Sequence, residues 1–225
     1  MTHGAIIPAL NGAAHLPALL DEIRRVQPQV ALLVVDDGST DGTAEVATTH
    51  GAAVVAHPEN RGKGAALATG FARALELGWE WAWTLDADGQ HLPAEMQRFL
   101  DVAAGGGWDV VVGSRMDHPV GMPWIRRATN RFTSAVVSGI AGQRIPDSQC
   151  GYRLFRVAKL RGLRLVTSRY DTESEILVRL ARRGCRIGAA PVSSVYGTES
   201  SAIRPLRDTV RFFRLVALLL RDRAA

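Results

Sequence analysis

Apolar residues follow two rhythms along the first half of the chain. Short runs rich in Val, Ile, Leu and Trp read as strands: residues 4–10 (GAIIPAL), 31–37 (ALLVVDD), 52–57 (AAVVAH), 81–88 (WAWTLDAD) and 109–115 (DVVVGSR). Between them, apolar positions recur at helical spacing near 14–26, from about Asp41, near 62–77 and from about Pro93. A parallel strand pair needs a crossover long enough to hold a helix, so this alternation predicts an α/β fold: a mostly parallel sheet with helices on both faces. Ligands of such a sheet bind at the carboxyl ends of its strands.

The rhythm breaks after residue 115. There follow a Gly/Pro-rich turn, a basic helix near 123–141, the segment DSQCGYRLFR (147–156), a helix near 172–183, the strand-like RIGAAPVSSVYG (186–197) and a final basic helix. No repeat or low-complexity linker divides the 225 residues, which suffice for one core, so a single domain over 1–225 is expected.

Charge divides what periodicity leaves whole. Residues 1–115 hold 7 Lys and Arg against 14 Asp and Glu, a net −7; residues 116–225 hold 20 against 8, a net +12, and together they give the overall +5. One half is suited to a cation, the other to anions such as phosphate or an acidic membrane surface. No apolar run reaches eighteen residues, which excludes a membrane-spanning helix, and the N-terminus lacks a basic leader, so a cytoplasmic location is expected. Cys150 and Cys185 are too few for a zinc site or disulfide framework and read as reduced thiols.

Candidate chemistry concentrates at the strand ends. With a strand over 81–88, alternation places Asp86 and Asp88 on one face at its carboxyl end, where two like charges call for a hard cation such as Mg²⁺ or Mn²⁺. Gln90 offers a further carbonyl oxygen, while His91 is expected to be structural, because hard cations prefer oxygen. A neighbouring strand ends in Asp36-Asp37, suited to accept from a nucleobase N–H or a ribose hydroxyl, with Asp41 and Thr43 capping the next helix. NRGKGAALATG (60–70) lacks the spacing of a P-loop or dinucleotide fingerprint; Gly62 and Gly64 open a helix tightly, and Lys63 or Arg61 is placed to reach an anion.

Taken in order, IIPALN, VVDDGSTDGT, NRGKGAALATG, LDADGQH, VVGSR, DSQCGYRLFR and YDTESEIL resemble the family 2 glycosyltransferases of GT-A fold, most of all the polyprenyl-phosphate mannose or glucose synthases. The resemblance implies that Asp86, Asp88 and Gln90 hold the metal, and that Pro8, Val35, Asp37, Lys63, Asp86, Ala87, Asp88 and Arg115 bind the nucleotide sugar. It also places Asp147 near the acceptor, as a base or an orienting group, beside Asp88 and Arg115 in the catalytic set. Leu10 and Gly12 stand where the family commonly carries an aromatic and an acid, and Ala202 stands where related chains have a basic residue. Arg153, Arg204 and Arg207 are the candidates for the acceptor phosphate.

The implied reaction is inverting transfer of a hexose from a GDP- or UDP-sugar. A bound divalent ion and Arg115 would stabilise charge on the leaving diphosphate. A hydroxyl acceptor needs a general base, whereas a phosphate acceptor arrives ionised, and the +12 half favours the second. In the final helix Leu206, Val210, Phe213, Ala217 and Leu220 form an apolar stripe beside Arg207, Arg211, Arg214 and Arg221; the helix carrying Trp124, Arg126, Arg127 and Arg131 has a similar character. The chain is therefore expected to sit peripherally on the anionic inner face of the cell membrane, alone or recruited by a membrane protein. Nucleic acid is not expected, since no recognition motif accompanies the charge. The competing readings are a soluble or saccharide hydroxyl acceptor and an inactive membrane-surface adaptor.

Overall fold

A computed structural model of the chain describes residues 2–116, 121–169, 171–193 and 205–222. The first half builds β1 (His3–Ala9), α1 (Leu16–Val26), β2 (Ala31–Asp36), α2 (Thr43–Thr49), β3 (Ala53–Ala56), α3 (Lys63–Glu76), β4 (Trp81–Thr84), α4 (Met96–Gly106) and β5 (Val110–Ser114). The second half adds α5 (Trp124–Ala141), β6 (Arg153–Arg156), α6 (Thr172–Arg182), β7 (Ile187–Pro191) and α7 (Pro205–Arg221).

The seven strands form one sheet in the order β3-β2-β1-β4-β6-β5-β7. Ile6 and Ile7 are adjacent in β1 and both fully buried, so layers cover both faces, as the continuous apolar runs predict. One covering layer is α3, which lies so close that a side chain at Gly70 would meet Ile6 Cγ2 at 2.4 Å.

Two elements depart from the sequence expectation. β4 ends at Thr84 rather than residue 88, and residues 85–90 leave the sheet as a turn with Gly89 at φ 71°. Asp86 and Asp88 therefore owe their common direction to a turn and not to strand alternation. RLFR (153–156), read without a strand, is β6, which runs antiparallel to both β4 and β5. Four residues are too short for a periodic signal, and Arg153 within them is buried, which masks the apolar alternation.

The chain runs from β1 outwards through β2 to β3, then crosses back through α3 to β4 on β1's other side. Connections thus diverge between the carboxyl ends of β1 and β4, the topological switch point at which open α/β sheets bind ligands.

Candidate active site

A cavity of about 650 Å³ opens at that switch point. Its walls are Pro8 to Gly12 after β1, Asp37 after β2, Asn60, Gly62 and Lys63 at the start of α3, and Asp86 to Asp88 after β4, joined by Arg169 and Arg211 from the second half. The rim is stitched from side chains of the STDGT segment. Asn11 N–H donates to Ser39 Oγ (2.8 Å), Gly12 N–H to Thr43 Oγ1 (2.9 Å) and Ala13 N–H to Asp41 Oδ2 (3.0 Å). Asn11 takes the left-handed conformation this needs, φ 53°, and its Oδ1 accepts from Thr40 N–H. Asp41 also accepts from Thr43 N–H at the start of α2 (3.1 Å).

Asp37 is buried, and both its oxygens are engaged. Oδ1 accepts from Arg61 N–H (3.0 Å) and lies 2.7 Å from His57 Nδ1, while Oδ2 accepts from Gly62 N–H (2.7 Å). It supplies the negative charge that the N-terminus of α3 favours. Asp37 thereby holds the 57–62 loop against β2 while forming part of the pocket wall.

Lys63 sits between two carboxylates, its Nζ 2.5 Å from Asp86 Oδ1 and 2.5 Å from Glu173 Oε1. Burial opposes its charge, but Asp86 and Glu173 outweigh burial and raise its pKa. Burial would likewise raise the Asp86 carboxyl; the ammonium of Lys63, helped by His91 and Arg153, instead brings it down to about 2. The two carboxylates converge over Gly151, where a Cβ would lie 2.9 Å from Asp86 Oδ2 and 2.9 Å from Glu173 Oε1. Only glycine leaves them that room.

His91 is buried and stacked on Tyr152, with ring centroids 5.0 Å apart, and its Nδ1 accepts from the Asp86 backbone N–H. Burial lowers its pKa against the pull of the Asp86 and Asp88 carboxylates, and the ring braces the 86–90 turn. Asp88 Oδ1 accepts from Gln90 N–H (3.0 Å), which closes the same turn.

The remaining sequence candidates divide sharply. Pro8, Asp37, Lys63, Asp86, Ala87 and Asp88 all line the cavity, whereas Val35, Gln90 and Arg115 are not among its described lining. Val35 is fully buried within β2. Asp147 and Arg115 form a bidentate pair, Nε to Oδ2 at 2.7 Å and Nη2 to Oδ1 at 2.9 Å, with Asp147 fully buried. A carboxylate held in that way orients a guanidinium; it is not placed as a general base. Arg153, expected to meet the acceptor phosphate, is 1% exposed and donates to the carbonyls of Cys150, Glu173 and Ser148, with Glu173 Oε2 at 3.8 Å. Its charge is spent on joining the 148–150 turn to α6, so it cannot serve an external phosphate. Arg204 lies outside the described residues, and Arg207 falls in the first turn of α7.

Sequence reasoning did not place Arg169 or Arg211 in the cavity wall, and it offered Glu173 or Glu175 as the partner of an arginine such as Arg153, not of Lys63. Glu173 and Glu175, two positions apart on α6, face different ways. Glu173 reaches Lys63, while Glu175 accepts from the backbone N–H groups of Val166 and Thr167 and from Arg179. The available signal was glycine: Gly151 and Gly64 stand where other elements approach closely.

As a metal site, the acidic wall is a partial one. Asp86 and Asp88 supply two hard oxygen donors on one turn, yet no group of three His, Cys, Asp or Glu among the described residues could enclose an ion. That fits Mg²⁺ or Mn²⁺, which are typically held by one or two carboxylates plus substrate phosphates and water.

Two outer helices face solvent with apolar residues. α7 packs on the domain through Phe212, Leu215 and Leu219, leaving the predicted stripe of Val210, Phe213 and Leu220 exposed. α5 buries Asn130, Thr133, Ser134 and Val137 while Trp124 is 77% and Phe132 56% exposed, the inverse of an ordinary amphipathic helix. No helix among the described residues is long and apolar enough to cross a membrane.

The chain is similar to known proteins in sequence and in fold. The family model described as Glycosyl transferase family 2 matches residues 5–164. The polyprenol monophosphomannose synthase of Mycolicibacterium smegmatis is 33% identical, the match covering 84% of this chain and 75% of that one. The UDP-N-acetylglucosamine–dolichyl-phosphate N-acetylglucosaminyltransferase of Methanococcus voltae is 29% identical over 96% of this chain and 94% of its own. In fold, the chain resembles the crystal structure of glucosyl-3-phosphoglycerate synthase from Mycobacterium tuberculosis in complex with Mn²⁺, UDP and phosphoglyceric acid. The TM-score is 0.70 at 21% identity, covering 99% of this chain and 78% of that one.

Proposed function

The chain belongs to glycosyl transferase family 2, and from that premise we propose that it is a metal-dependent, inverting hexosyltransferase. Its donor is a nucleotide sugar, its acceptor a polyprenyl phosphate, and its place of work an anionic membrane surface. The observation that carries this reading is the switch-point cavity itself, which joins an acidic wall, Asp86 and Asp88, to basic residues of the second half. Related chains named for dolichyl-phosphate and polyprenol substrates support the acceptor class.

The residues divide the work as follows. Pro8 and Asp37 would flank the nucleoside end, and Asp86 and Asp88 would hold the divalent ion with the donor diphosphate; all four line the cavity. When bound, such an ion acts as a Lewis acid on the leaving diphosphate. Gln90 closes the turn that presents Asp88. Arg115, expected beside the leaving diphosphate, is instead paired with Asp147 outside the described lining of the cavity, so it is assigned no contact with the donor. A phosphate monoester reaches the site already ionised, which suits a site whose expected base, Asp147, is tied to Arg115. The exposed apolar stripe of α7 and the aromatic face of α5 would rest in the headgroup region, bringing the site to its lipid. On this reading the protein works peripherally, on the cytoplasmic side where nucleotide sugars are found.

The test is transfer from UDP- and GDP-hexoses with Mn²⁺ or Mg²⁺ to short-chain polyprenyl phosphate, compared with free sugars as acceptors. Preference for the lipid phosphate is expected, with Asp88→Ala reducing the rate at least about a hundredfold. Preference for free sugars would overturn the acceptor assignment, and transfer unaffected by chelation or by Asp88→Ala would overturn metal dependence.

A further inference from the structure

The cations that sequence reasoning assigned to phosphate are largely committed elsewhere: Lys63 to Asp86 and Glu173, Arg115 to Asp147, and Arg153 to three carbonyls. The backbone at the start of α3, a natural anion site, is committed too. Arg61 and Gly62 N–H donate to Asp37, and Gly64 N–H donates to Ser168 O at 2.9 Å. A diphosphate entering this cavity would still meet Asp86 and Asp88, which together with Glu173 carry three charges that Lys63 and one divalent ion balance with none left over. Further positive charge must come from side chains of the wall.

Resting on the glycosyltransferase reading, we infer that Arg169 and Arg211 are the donor's phosphate clamp, a pair of guanidinium groups that binds the diphosphate of the nucleotide sugar. Besides Lys63, they are the Lys and Arg residues among the described lining of the cavity, and Arg211 is chosen for that place and not for lack of a partner, since its charge also acts on the Asp171 carboxyl.

Both are placed by construction. Arg169 ends a loop fastened on two sides: Glu175 accepts from Val166 N–H, Thr167 N–H and Thr167 Oγ1, and Ser168 O accepts from Gly64 N–H. The loop can lie there only because residues 62 and 64 are glycines. A Cβ on Gly62, where φ is 95°, would lie 2.2 Å from Ser168 O, and one on Gly64 would lie 2.9 Å from the Ser168 backbone and 2.2 Å from Thr172 Oγ1. The Gly-x-Gly of NRGKG is thus a landing for the arginine loop, not a phosphate loop. Arg211 precedes buried Phe212 on α7, whose seating through Leu215 and Leu219 fixes the cavity-side edge of the helix. Two guanidinium groups suit this task, since each can bridge two phosphate oxygens in one plane.

Binding of UDP and GDP in the presence of Mn²⁺ tests the clamp, set against uridine and guanosine as probes of the nucleoside wall alone. Arg169→Gln and Arg211→Gln are each expected to weaken the preferred diphosphate about tenfold, and the double variant more. Nucleoside affinity and thermal midpoint should stay unchanged. Diphosphate affinity equal to wild type in both variants would overturn the clamp while leaving the glycosyltransferase reading intact. So would a loss confined to the KM for polyprenyl phosphate, which would assign the arginines to the acceptor. A wild-type protein that binds neither nucleotide would bring down the glycosyltransferase reading and the clamp together.

Discussion

At the scale of single residues, the site is governed by Lys63 and the two carboxylates it separates. Asp86 and Glu173 come together over Gly151, with the ammonium of Lys63 between them. The consequence for pH has a definite sign. The folded Asp86 carboxyl is depressed to about 2, below its ordinary value near 3.8, so its ionisation contributes stability that is complete above about pH 4 and lost as pH falls towards 2. Lys63 is raised, so its contribution is complete below its ordinary value of 10.5 and is lost only in strong base. Lys63→Met removes the ammonium and leaves two facing carboxylates. Urea midpoints measured from pH 3 to pH 8 should then fall with increasing pH through the carboxylate range, where the wild type rises towards pH 4 and then holds steady. A parallel profile for the two proteins would show that Lys63 does not neutralise this pair.

At the scale of elements, the sequence disclosed most where one residue's chemistry dominates and least where two distant segments meet. The strands β1, β2 and β5 were legible because burial on both faces demands unbroken apolar runs, the half-exposed edge strand β3 by its β-branched Val54-Val55, and Asp86 with Asp88 because paired acids after such a run have few structural uses. β6 was not legible, since its buried Arg153 reads as polar until its three carbonyl partners are known. Nor was the role of Glu173, 87 positions beyond Asp86, which depends on α6 docking beside the start of α3. The same docking explains why a helix begins with glycine at a position where alanine would be the better helix former. Gly64→Ala must displace the Ser168 backbone and Thr172, so a loss of about 1–3 kcal/mol is expected, together with weaker nucleoside diphosphate binding. Gly139→Ala, in α5 with nothing within 4 Å of the added carbon, should instead stabilise the protein by up to about 1 kcal/mol. Thermal unfolding of the two variants side by side separates the effect of contact from that of helix propensity.

At the scale of the whole molecule, the division of charge and the placement of apolar surface have one geometry. The acidic first half supplies Asp37, Asp86 and Asp88 to the cavity, and the basic second half supplies Arg169 and Arg211. α7 belongs to both the cavity and the outer surface, because the helix that carries Arg211 also exposes Val210, Phe213 and Leu220, with Arg214 and Arg221 exposed beside them. Its buried contacts use a different stripe, so the outward residues can be changed without opening the core. Replacing Val210, Phe213 and Leu220 together by Ser should lower the unfolding free energy by no more than about 0.5 kcal/mol per substitution, as for surface changes generally. The same variant should lose most sedimentation with vesicles containing phosphatidylglycerol. Arg214→Gln with Arg221→Gln should weaken vesicle binding by about 1 kcal/mol per charge at low salt and by less as the ions are screened. Loss through the apolar variant but not the arginine pair would mean a neutral lipid surface suffices. Loss through neither would move the contact to α5, where Trp124 and Phe132 are the residues to change next.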